Sequence, residues 1–233
     1  MPMILPRLIR LAMVALLGLG LAGCGRSESY RYKLTMAVNT PDGVKRGSNV
    51  TEWDFWEVSI PERGTPHRLR GEALYLDLGP GKRPLIALLT SHLHEKPHQG
   101  VIWDWSGGHL LFQLYGLQSS NFMDDNARLA RMRGPRKITQ ADLPDLVTFA
   151  DVNDPKSVIE VDPNNLQATL GQDITWNEIT LEVTDELFTT GIEKKLPWLP
   201  AYFKKNFRLD GSQFGSRRDI ANELSTYDFD QTY

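Results

Sequence analysis

The chain has 233 residues, with 26 Lys and Arg against 29 Asp and Glu, five His and a single Cys, for a formal net charge of −3. That mild acidity excludes nucleic acid as the expected partner, because phosphate binding calls for a basic face. A lone cysteine excludes an intramolecular disulfide framework, and the length is ample for a core that folds without one.

Arg7 and Arg10 are the only charges before Cys24, and Leu11 to Leu21 is almost wholly apolar. A basic start followed by an apolar run is the pattern of an export signal. The run is about half of the ~20 residues that a spanning helix needs, so a transmembrane anchor is the weaker reading. It ends in Leu21-Ala22-Gly23-Cys24. An aliphatic residue, two small residues and a cysteine resemble the lipobox of bacterial lipoproteins. The resemblance implies cleavage before Cys24, a diacylglyceryl group on its thiol, and a place in the cell envelope facing the periplasm. It also favours the outer over the inner membrane, because Gly25 and not Asp follows the cysteine. Two acyl chains give a stable anchor, at ~0.8 kcal/mol per buried methylene. An exported odd thiol needs an explanation, and lipidation supplies one. The remainder of the chain is more acidic than the whole, since the leader takes two arginines and no acid with it.

After the leader, Gly25 to Ser29 is short and polar and reads as a tether that keeps the body close to the bilayer. Tyr30 to Asn39 alternates with period two, as a half-buried strand does. Thr40-Pro41-Asp42-Gly43 has the chemistry of a turn, with Pro41 fixing φ and Gly43 free to take φ > 0. Val44 to Ile60 is a second extended stretch, interrupted at Gly47-Ser48-Asn49, and the two form a hairpin. Arg68 to Leu78 alternates again, Gly79 to Lys82 is a turn, and Pro84 to Leu93 suits a central strand. Successive hairpins imply an antiparallel sheet. His109 to Tyr115 is a short apolar stretch of ambiguous type, and Phe122 to Arg133 has helical spacing, with Asp124 and Asp125 opposing the dipole and Gly134-Pro135 as the stop. Thr139 opens a further helix or a turn. Leu146 to Asp151 and Ser157 to Val161 read as strands. Asp162-Pro163 starts a short helix that ends at Gly171. Ile174 to Val183 is a strong strand with a phase slip near Asn177. Thr190 to Leu199 is a short helix broken at Pro197. From Asp210 the chain turns polar and reads as a loosely docked tail. The predicted plan is therefore a leader over 1–23, a lipidated tether over 24–29, one globular domain over 30–209 and a tail over 210–233. The expected fold class is α+β, mostly antiparallel sheet with a few short helices.

The stretch from Ile179 to Leu199 resembles exported proteins of proteobacteria that carry no assigned activity, so the resemblance implies no reaction. His94-Glu95-Lys96-Pro97-His98 matches H-E-x-x-H, which binds zinc when a helix puts both histidines on one face. Pro97 opposes that helix by about 3 kcal/mol. A looser divalent-metal site is the alternative. His92 and His94 share a face if they lie on a strand, His98 can fold back across a turn, and Asp104 or His109 would complete the ligands. No G-x-S-x-G, P-loop or dinucleotide fingerprint is present, and Gly211 to Gly215 has its serine misplaced for a nucleophile. No catalytic residue is assigned.

Two tryptophan pairs stand out, Trp53 with Trp56 and Trp103 with Trp105. Packing in a sheet is their commoner role. Trp103 and Trp105 flank Asp104 in a glycine-rich loop and are the better candidates for stacking on a sugar or anchoring a partner. Arg128, Arg131, Arg133, Arg136 and Lys137 form a basic segment. Arg128 and Arg131, three residues apart, suit an anionic lipid, lipopolysaccharide or an acidic protein. The favoured function is a lipid-anchored envelope protein that binds or scaffolds an envelope protein, lipid or cell-wall component. A metal-dependent enzyme or metal-binding protein using His92, His94 and His98 is the alternative, and a periplasmic carrier of a small ligand the second alternative.

Overall fold

A computed structural model describes residues 25–57, 66–96, 100–102, 105, 108–117, 121–205, 207–215 and 219–232, with only the backbone of 94–96, 100–102, 108 and 109. Strands β1 (Ser27–Thr40) and β2 (Gly43–Trp56) form a long antiparallel hairpin, closed at Pro41-Asp42 with Gly43 at φ 101°. Thr40 Oγ1 accepts from Asp42 N and donates to the Gly43 carbonyl, which fixes the turn. Within the polar stretch expected to be a tether, β1 already begins at Ser27. Ser27 already pairs with Trp56, because its strand partner extends that far and satisfies its backbone. The expected break at Gly47 is also absent. A Cβ there would lie 3.2 Å from Leu76 Cδ1 and 3.4 Å from Leu74 Cδ2, so the glycine serves close approach between layers while the strand runs on.

β3 (His67–Arg70) pairs with the outer edge of β2, and β11 (Thr175–Thr184) and then β8 (Arg136–Lys137) continue the sheet beyond β1, in the order β3-β2-β1-β11-β8. Between Ala37–Glu178 and Val38–Trp176 the register shifts by one residue. Asn177 is thus the extra residue of a β-bulge, which accounts for the phase slip in the sequence. A second sheet orders β10 (Val158–Glu160), β9 (Leu146–Phe149), β5 (Leu85–Ala87) and β4 (Leu74–Leu76). β6 (Ser91–Lys96) and β7 (Gly100–Ile102) form a two-stranded ribbon.

The sheets stack. Alternation along β1 sends Tyr30, Tyr32, Leu34, Met36 and Val38 into one core with Leu74, Leu76, Leu85, Ala87 and Leu146 of the second sheet. The opposite face of the second sheet carries Ile86, Val147, Phe149 and Val158, which pack against Ile192, Leu196, Trp198, Leu209, Leu224 and Phe229. The fold is α+β and mostly antiparallel sheet, with five short helices among the described residues: α1 (Gly108–Leu114), α2 (Phe122–Leu129), α3 (Leu166–Leu170), α4 (Leu199–Lys205) and α5 (Ile220–Glu223). Asn121 caps α2, its Oδ1 accepting from Met123 N and Asp124 N. α3 starts later than Pro163 because Asp162 Oδ1 first closes a turn by accepting from Asn164 N. The Thr190–Leu199 segment forms only one 3-10 turn at Ile192–Lys194 before α4.

The C-terminal segment is the main correction to the predicted plan. Leu224 and Phe229 are fully buried, and Leu89 N, Ala73 N and Gln231 N donate to the carbonyls of Asp228, Phe229 and Gly71 respectively. Its few apolar residues are too widely spaced to show a period, yet they cover the otherwise open face of the second sheet.

The outer face of the large sheet is charged and strapped. Arg31 and Arg70 both pair with Glu52, and Arg68 and Arg70 with Asp54. Residues 185–190 cross this face. Arg31 Nη1 donates to the Asp185 carbonyl at 3.3 Å, Lys33 pairs with Glu186, Arg70 lies over the Phe188 ring at 5.3 Å, and Thr189 N donates to the Val50 carbonyl at 2.9 Å. Among the described residues no helix is long and apolar enough to cross a membrane.

Candidate functional site

The strap ends at Glu72. Its carboxylate accepts from Gly191 N at 2.7 Å and Ile192 N at 2.8 Å, and Glu72 also bridges to Asp230 through the backbone. Burial pushes this carboxyl above its usual range, the two N–H donors oppose that, and the charges of Asp230 and Glu193 add to it. Replacing one oxygen with an amide would turn a donor toward a backbone N–H. Glu72→Gln should therefore cost about 1–3 kcal/mol in urea unfolding. A change near zero would mean that the strap is not held here.

Thr90, His92, Asp145 and Asp228 form a second buried polar group between β6 and the C-terminal segment. His92 Nε2 donates to Asp228 Oδ1 at 2.7 Å, with both side chains 3% exposed. Thr90 Oγ1 donates to the same oxygen at 2.6 Å, and Ser225 N and Oγ donate to Oδ2 at 2.7 and 3.1 Å. Asp145 Oδ2 accepts from the backbone N–H groups of His92 and Leu93 at 2.7 and 2.9 Å. Burial alone pushes the imidazole down. The hydrogen bond to Asp228, with the charges of Asp228, Asp145 and Glu223, more than offsets this and raises it above the ordinary histidine value.

A histidine beside a carboxylate has the parts of a general base, but such a pair must come within hydrogen-bond reach of a substrate. At 3% exposure both members are committed to each other. Their geometry suits a clamp that ties the C-terminal segment to the central strands.

The other predicted site residues separate. His94 lies in β6, so the helix that a zinc-protease motif requires is not formed there. Its side chain, and His98 and Trp103 altogether, lie outside the described residues, as does Cys24. Among the described residues no group of three His, Cys, Asp or Glu could hold a metal ion. Trp105 is a core ring and not a binding surface. It is 5% exposed, it meets Tyr32 edge-on at 5.7 Å, its Nε1 donates to the Asp142 carbonyl, and its own carbonyl accepts from Tyr32 Oη. Arg128 is exposed on α2, 3.4 Å from Asp125, and Arg131 is exposed beyond the helix end, so the two do not form one helical stripe. Arg133 is held bidentately by Asp185, and Arg136 lies 4.8 Å over the Tyr115 ring. The basic segment is thus partly spent on tying α2 to the strap.

Among the described residues, surface hollows of about 160, 330 and 240 Å³ lie beside Glu72, beside Trp56 and Arg68, and beside His67 and Tyr227. All are open and at or below the lower end of small-molecule pockets, about 300–1,000 Å³. Sequence reasoning missed Glu72, Asp145 and Asp228. The His92–Asp228 partners are 136 residues apart, and isolated acids in polar stretches carry no local signal of burial. No protein-family model matches the chain, and no curated protein or solved structure is significantly similar to it.

Proposed function

We propose that the protein is exported, cut before Cys24 and anchored in the cell envelope by lipid on that cysteine, where it binds or scaffolds another envelope component without catalysing a reaction. The observation that carries the anchor is Leu21-Ala22-Gly23-Cys24 behind a basic and then apolar leader, in a chain with no second cysteine. The described His–Asp pair is buried and spent on the fold. The charged, strapped face of the large sheet is a surface on which complementary charge can set a partner's orientation.

Metabolic labelling with palmitate in a bacterial host tests the anchor. The full chain should take up label and stay in the membrane pellet after a high-salt wash. Cys24→Ala should lose the label. Label retained by Cys24→Ala, or none in the original chain, would sink the proposal. In-cell cross-linking of the lipidated chain tests the binding role, which predicts one dominant cross-linked species and is refuted by recovery of monomer alone.

A further inference from the structure

The described chain starts one residue after Cys24, at Gly25. Arg26 N donates to Glu57 Oε2 at 3.4 Å, and its carbonyl accepts from Glu57 N at 2.8 Å, so the β1–β2 ladder continues past Ser27. Gly25 sits against the Glu57 carbonyl, 2.8 Å from where a Cβ would be. One peptide bond, about 3.8 Å between Cα atoms, separates Gly25 from Cys24. A lipid on Cys24 would therefore hold this end of the large sheet at the bilayer surface with almost no slack.

Two large apolar side chains are exposed at the same end. Trp56, 39% exposed, pairs with Ser27. Phe122, 45% exposed, meets the Phe55 ring edge-on at 5.0 Å, and Phe55 pairs with Glu28. Arg26 pairs with Asp124, which fastens the start of α2 beside the start of β1. Aromatic side chains at a water–bilayer boundary are stabilised because the ring leaves water while polar neighbours stay wet. The charges around them are mixed: Arg26 and Arg68 against Glu28, Asp54 and Asp124. Attraction to anionic headgroups is thus not the driving force.

We propose that Trp56 and Phe122 insert into the headgroup–acyl boundary of the bilayer that holds the Cys24 lipid, a contact that rests on the lipid anchor proposed above. The hairpin then stands away from the membrane. β1 has 14 residues, and at ~3.3 Å each its turn lies roughly 45 Å from the anchored end.

The acylated Cys24 leaves no other thiol, so a nitroxide can be placed at Phe122→Cys or, as a distant control, at the exposed Val44→Cys. The probe is the full lipidated chain in vesicles of phosphatidylethanolamine and phosphatidylglycerol, with lipid on Cys24 verified by intact mass. At position 122 collisions with a water-soluble nickel chelate should fall severalfold, and those with oxygen should rise, relative to position 44. In a soluble chain without residues 1–24, position 122 should be as open to the chelate as position 44. High salt should leave the contrast unchanged. Equal chelate access at 122 and 44 in a chain carrying its lipid would overturn the insertion and leave the anchor standing. Protection at 122 in the soluble chain would also overturn it. A mass without lipid would overturn the anchor and the insertion together.

Discussion

Phe229→Ala should lower the free energy of unfolding by about 3–5 kcal/mol, as complete loss of a buried aromatic ring does. The ring is fully buried, 6.0 Å from Phe149 and 5.7 Å edge-on to Trp198. Against a typical total of about 5–15 kcal/mol, that is a large share of the stability. Urea unfolding of a soluble chain without residues 1–24, followed by tryptophan fluorescence, measures it. Trp198 is itself in the affected cluster. A loss below about 0.5 kcal/mol, the range of ordinary surface substitutions, would mean that the C-terminal segment is docked as loosely as its composition suggests.

Removing the partner of His92 should be comparably severe. Asp228→Ala leaves an imidazole, two hydroxyls and a backbone N–H without their shared acceptor, and breaking a buried pair from one side costs about 3–5 kcal/mol. The pair also makes stability depend on pH. The folded-state value of His92 lies above its unfolded value, so the protonated imidazole binds more tightly to the folded chain. Its contribution is fully present below the unfolded value, about 6.5, and is lost as pH rises through the raised folded value. Glu72, also raised, acts in the same direction in the acid range. The His92 share is therefore the difference between the original chain and His92→Gln. The urea midpoint of the original chain should fall from pH 6 toward pH 9, and that of His92→Gln should fall less. Parallel profiles would show that the imidazole binds its proton no more tightly folded than unfolded.

The sequence alone determined the parts governed by local physics. Alternation in Tyr30 to Asn39 and Ile174 to Val183 located β1 and β11, because a strand that buries one face must repeat with period two. The slip at Asn177 located the bulge, since one inserted residue inverts that alternation. Thr40-Pro41-Asp42-Gly43 located the turn because few residues tolerate its dihedral angles. The proposed leader and lipobox are read in a similar way, as a linear signal with no tertiary requirement.

Tertiary structure decided whatever depended on a distant partner. Gly47 reads as a break until Leu74 and Leu76 arrive from another sheet. Trp105 reads as a binding residue until Tyr32 and Asp142 enclose it. Residues from Asp210 onward read as a tail until the second sheet is seen to present a face that needs covering. His92 reads as a metal ligand until Asp228 comes within 2.7 Å of it. Composition measures how polar a segment is, whereas burial depends on what the rest of the chain leaves uncovered.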